Sequence, residues 1–101
     1  MNGAVRAATR ELAGQTVFVA GSTRGIGRAV ALDLARAGAR VAIHGRSAAG
    51  AEEVAAALTA LDRHAGTFLA DLTEPAATEN LVAELTTALP ELDTVVLVAG
   101  A

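Results

Sequence analysis

The stretch VAGSTRGIGRAV, Val19 to Val30, reads as a strand end, a glycine turn and a helix start. Its glycines are Gly21, Gly25 and Gly27, and each has a separate task. Gly21 lets the chain turn sharply off the strand. Gly25 lets the backbone approach a pyrophosphate with no side chain between them, and Gly27 lets the helix pack close to the sheet. The new helix then aims its free N–H groups and its positive dipole end at the phosphates. Ser22 and Thr23, inside the turn, are expected to hydrogen-bond phosphate or to cap the helix. No Gly-Lys-Ser/Thr follows, which argues against a Walker-type phosphate loop.

Working outward, "TVFVA" (Thr16–Ala20) is a short β-branched run that predicts a buried strand. In "IGRAVALDLARAGA", Ile26, Val30 and Leu34 are spaced by four and predict one inward helix face, with Gly38 at the C-terminus. "RVAIHG" is a second strand, and Ser47 stands where a cap is expected. "AEEVAAALTALDRHAG" predicts a helix with Val54, Leu58 and Leu61 inward, closing near Gly66. "TFLA" is a third strand. Thr73 is placed as the cap of a third helix, with Pro75 in its first turn and Leu81, Val82, Leu85 and Leu89 inward. Pro90 ends that helix, and "TVVLVA" is a fourth strand. Short apolar strands alternating with amphipathic helices predict α/β architecture with right-handed crossovers. The expected fold is Rossmann-like and three-layered, with four parallel strands in the order 3-2-1-4. Residues 1–14 read as an N-terminal extension and 15–101 as a single NAD(P)-binding domain.

The end of the second strand bears on the cofactor. A ribose-binding acid is expected about 20 residues past the glycines where the cofactor is NAD. Here Gly45 stands 18 residues past Gly27, and the local sequence is "HGRS", with no acid. The Arg46 guanidinium could hold a 2′-phosphate through a fork of donors, and Arg24 could reach the same phosphate from the turn. The expected ligand is therefore NADP rather than NAD.

Composition excludes several function classes. Net charge is −3 with no basic block, so no nucleic-acid footprint is present. There is no cysteine, which removes disulfides and thiolate metal sites. The two histidines, His44 and His64, are isolated, and no metal site is expected. His44, a lone imidazole near the expected adenosine, is a weak candidate for a general base. No apolar run suits a signal peptide or a membrane span, so the expected location is the cytoplasm.

"AGSTRGIG", "HGR", "ADL" and "LDTVVLVAGA" resemble, in order and spacing, the opening of the short-chain dehydrogenases/reductases, and the likeness covers about residues 15–101. By that resemblance, Arg24 and Arg46 mark NADP preference and Asp71 contacts the adenine. The implied cofactor-binding set is Gly21, Ser22, Thr23, Arg24, Gly25, Ile26, Gly27, Arg46, Ser47, Asp71, Leu72, Ala99 and Gly100. Two departures stand out. Ala20 replaces a threonine, and Leu97-Val98-Ala99-Gly100 replaces the family's Asn-Asn-Ala-Gly. Family catalysis uses a serine and a Tyr-x-x-x-Lys pair beyond the fourth strand. This chain has no tyrosine, and all 8 of its basic residues are arginine. The resemblance thus implies the NADP(H)-binding part of an oxidoreductase that is inactive by itself. The alternative is a non-catalytic nucleotide-sensing or partner-binding module. The fourth strand is expected at the sheet edge, where it would meet a second copy or a further segment of polypeptide.

Overall fold

The computed structural model describes residues 12–98. Four strands and three helices alternate: β1 (Thr16–Ala20), α1 (Gly25–Arg36), β2 (Arg40–Gly45), α2 (Ala48–Ala60), β3 (His64–Leu69), α3 (Pro75–Ala88) and β4 (Thr94–Leu97). All strand pairs are parallel, and the order is β3-β2-β1-β4, as the sequence predicts.

Alternation along β1 and β2 divides the interior in two. Val17, Val19, Val41 and Ile43 face α1 and α2, meeting Ala31, Ala35, Ala51, Val54 and Leu58. Phe18, Ala20 and Ala42 point the other way, toward Phe68 and Leu81, Leu85 and Leu89 from the α3 segment. The Phe18 and Phe68 rings meet edge-on at 6.1 Å, a favoured aromatic geometry.

Several helix faces depart from the spacing-based reading. α1 lies against the sheet through Gly27, Ala31 and Ala35, while Ile26 is 74% exposed. Val30 and Leu34 flank that stripe rather than form it. Leu61 and Val82, both predicted inward, are exposed. Small residues win the contact because close helix–sheet approach leaves no room for long side chains.

The helix ends also differ in detail. α1 closes as expected, with Gly38 at φ 107 and the paired bonds Gly38 N–H to Ala35 C=O and Ala39 N–H to Leu34 C=O. α2 closes by the same pattern, but with Asp62 at φ 58 in the left-handed position, not near Gly66. Aspartate tolerates that conformation better than most side chains. β3 therefore starts at His64, and Gly66 sits inside it beside a register shift opposite Val41 and Ala42. Ser47 occupies the N-cap of α2 without a capping bond, and Glu74, not Thr73, occupies that of α3. Pro75 does fall in the first turn. β4 ends at Leu97, short of the expected Ala99.

Candidate dinucleotide cleft

The C-terminal ends of β1 and β2 open onto a cleft of about 950 Å³. It is lined by Gly21, Thr23, Arg24, Gly25, Ile26, Gly27, Arg46 and Ser47, together with His44, Gly45, Gly50 and Val98. Eight of the residues that the sequence singles out thus meet in one place.

The glycine turn owes its shape to two features. Gly21 and Gly25 have φ 72 and 62, a region side chains rarely enter. A Cβ on Gly27 would fall on the Gly21 carbonyl, so this glycine is fixed by contact with the turn itself. A Cβ on Gly25 would meet nothing within 4 Å. The backbone there is open to a ligand, as the pyrophosphate reading requires.

The first helical bond of α1 runs from Arg28 N–H to Arg24 C=O at 3.3 Å. The amides of Gly25, Ile26 and Gly27 precede it and are the donors a helix start leaves free. No side chain caps them, and the first turn holds no acid. An anion placed there meets free N–H groups and the positive end of the helix.

Charge follows the same plan. Among the described arginines, Arg28 pairs with Glu53, Arg36 with Asp33 and Arg40 with Glu91. Arg24 and Arg46 are exposed and form no ion pair with any described residue. Both line the cleft.

Three expected residues stand elsewhere. Ser22 is fully buried and turned from the cleft. Its hydroxyl accepts the His44 N–H at 2.9 Å and reaches the His44 carbonyl at 3.3 Å. It stitches the turn to β2 instead of bonding phosphate or capping the helix. The Asp71 carboxylate accepts the Thr73 N–H at 3.0 Å and the Thr73 hydroxyl at 2.6 Å. Those bonds, side chain first, hold it below the usual carboxylate range, and the Arg46 guanidinium adds a smaller push. Asp71 shapes the turn before α3 and is not among the cleft's lining residues. Leu72 lies on the other face of the sheet, in an apolar groove between α3 and β4. Ala99 and Gly100 lie outside the described residues.

Gly50 and Val98 escape the sequence-based site, while His44 and Gly45, read there as lying near the expected adenosine and ribose, are not counted among its binding residues. Gly45 carries a readable signal after the fact: a Cβ there would overlap the Thr23 side chain. His44 is 96% buried, its relative exposure being 4%, and both ring nitrogens are committed. That arrangement does not suit a general base. No group of three or more metal-ligating side chains occurs among the described residues, and none of their helices is long and apolar enough to cross a membrane.

The comparisons with known proteins agree with this geometry. The short chain dehydrogenase family model matches residues 15–101. The hydroxynaphthalene reductase arp2 of Aspergillus fumigatus is 44% identical over 90 residues, covering 88% of this chain and 33% of that protein. The 2,3-dihydro-2,3-dihydroxybenzoate dehydrogenase of Bacillus subtilis is 37% identical over 87 residues, covering 86% of this chain and 33% of that protein. RhlG of Pseudomonas aeruginosa, solved as an NADP active-site complex, superposes with a TM-score of 0.81 at 37% identity, covering 89% of this chain and 35% of that one. The chain spans about a third of the length of the curated relatives it matches. With the match running through the glycine turn and all four strands, the chain belongs to the short-chain dehydrogenase family.

Proposed function

We propose that this chain is the NADP(H)-binding part of a short-chain oxidoreductase. The observation that carries the reading is the pair Arg24 and Arg46, both exposed, both on the cleft and neither ion-paired with a described acid. A 2′-phosphate gives such a pair its counter-charge, and the Gly45-Arg46-Ser47 corner presents no carboxylate to repel it. The Gly25, Ile26 and Gly27 amides hold the pyrophosphate. The ligand, once bound, would supply hydride transfer.

Among the described residues that line the cleft, none is a proton donor suited to a carbonyl, and the chain contains neither tyrosine nor lysine. We assign that step to polypeptide beyond these 101 residues. The exposed Val95 and Leu97 of β4 and Val82 of α3 border the apolar groove where it would seat. The third of relatives' length covered by this chain supports that occupant.

Calorimetry on the full chain tests the reading. NADP is expected to bind more tightly than NAD, and Arg46→Ala to cost about 1.5–3 kcal/mol for NADP alone, the scale of hydrogen bonds to a charged group. Equal affinities for the two ligands would overturn it.

A further inference from the structure

Among the described residues, His44 is the one side chain that ties the ends of three strands together. The Gly21 N–H, at the end of β1, donates to His44 Nδ1 at 2.9 Å. On the other side of the ring, Nε2 lies 2.9 Å from the Ala70 carbonyl, just past β3. A backbone N–H can only donate and a carbonyl can only accept, so the network assigns the tautomer: lone pair on Nδ1, proton on Nε2. The main chain of the same residue receives the Ser22 N–H at 2.9 Å and exchanges two further bonds with the Ser22 hydroxyl. The Phe18 ring lies beside the imidazole, tilted at 60° with ring centres 6.2 Å apart.

These bonds occupy the amides of Gly21 and Ser22 and leave those of Gly25 to Gly27 for a ligand. We propose that His44 is a positioning residue for dinucleotide binding: its Nδ1 acceptor holds Gly21, and so sets the glycine turn in the form that presents the free amides. This rests on the dinucleotide reading above. The two ring bonds are not equivalent. Loss of the Nδ1 acceptor orphans a backbone N–H at the base of the turn. Loss of the Nε2–H leaves a carbonyl short of a donor, which proteins tolerate better.

That asymmetry can be tested with two amides. In His44→Asn, the side-chain oxygen falls near the Nδ1 position and can still accept from Gly21. In His44→Gln, the amide reaches the Nε2 position and can still donate to Ala70, but Gly21 loses its acceptor. On the full chain, NADP affinity is expected to stay close to the parent in His44→Asn and to fall about tenfold in His44→Gln, one lost hydrogen bond in scale. Hydrogen exchange at the Gly21 amide should stay slow in the first and quicken in the second. Equal affinities and equal Gly21 exchange in the two variants would overturn the proposal. Should a variant fail to fold, the ring nitrogens of the parent decide it by nuclear magnetic resonance. A proton on Nε2 with coupling from the Gly21 N–H to Nδ1 supports the latch, and a proton on Nδ1 overturns it. A parent chain that binds neither NADP nor NAD overturns the proposed function instead, and the latch is then judged on the Gly21 exchange and the ring nitrogens.

Discussion

One sheet presents two unlike faces. On the α1–α2 side, Val19, Val41, Ile43, Val54 and Leu58 are each 0% exposed, and the two helices bury the side chains that β1 and β2 turn toward them, leaving Leu69 at the β3 edge partly open, at 46%. On the α3 side, Leu81, Leu85 and Leu89 are buried, but Val82, Val95 and Leu97 are 57%, 52% and 75% exposed around a groove of about 440 Å³. Two helices close the first face, and one helix must serve the second. The candidate dinucleotide cleft lies at the end of the sheet where β1, β2 and α1 meet, and the bonds from Gly21 and Ser22 to His44 tie the base of its turn to β2. The groove offers shape and apolar surface but almost no polar group. Under the proposed function, the contrast is between a site for a polar ligand and an apolar surface that would meet more polypeptide.

The contrast breaks most visibly under truncation. Leu58→Ala should cost about 2–5 kcal/mol of unfolding free energy, because a fully enclosed leucine leaves a cavity. Val82→Ala, on an exposed helix position, should change stability by no more than about 0.5 kcal/mol. Urea unfolding of the two variants measures both, and similar losses would mean that the second face is as closed as the first.

A charge on β4 sharpens the difference next. Val96 packs against the first core, whereas Leu97 points into the open groove, so the probe belongs at Leu97. Leu97→Lys should lower self-association, since a lysine on an edge strand opposes pairing with another chain. Sedimentation across a concentration series checks this, with the melting temperature nearly unchanged.

The smallest effect concerns pH, on the opposite edge of the sheet. Burial first, then the Arg40 charge, holds His64 below its ordinary value near 6.5, against a weaker opposing pull from the Gly66 backbone. Above that ordinary value the ring is neutral in both the folded and the unfolded chain, and the group costs nothing. As pH falls below it, the unfolded chain takes up the proton more readily, so stability drops until the folded value is passed. His64→Gln should flatten that part of the pH–stability curve.

The strands were legible because short β-branched runs sit between glycines, and the parallel order follows from the alternation with helices. The cleft was legible where glycine and arginine carry their own chemistry. Helix faces were less so. Chain spacing favoured Ile26, Leu61 and Val82, yet close approach to the sheet selects alanine and glycine, whose small size carries little periodic signal. His44 was not legible as a latch because its partners are backbone groups 23 and 26 residues away, which no side-chain pattern marks. Ser22 was misread for the same reason, since its partner is the main chain of β2.

Under the proposed function, one end of the sheet holds the dinucleotide and the groove does not. The direct measurement is a titration of the isotope-labelled chain with NADP, followed through its backbone amide resonances. The account predicts the largest shifts at Gly21 to Gly27 and at Gly45 to Ser47, with Leu81, Leu85 and Val95 unmoved. Shifts concentrated on α3 and β4, or none at saturating NADP, would contradict it.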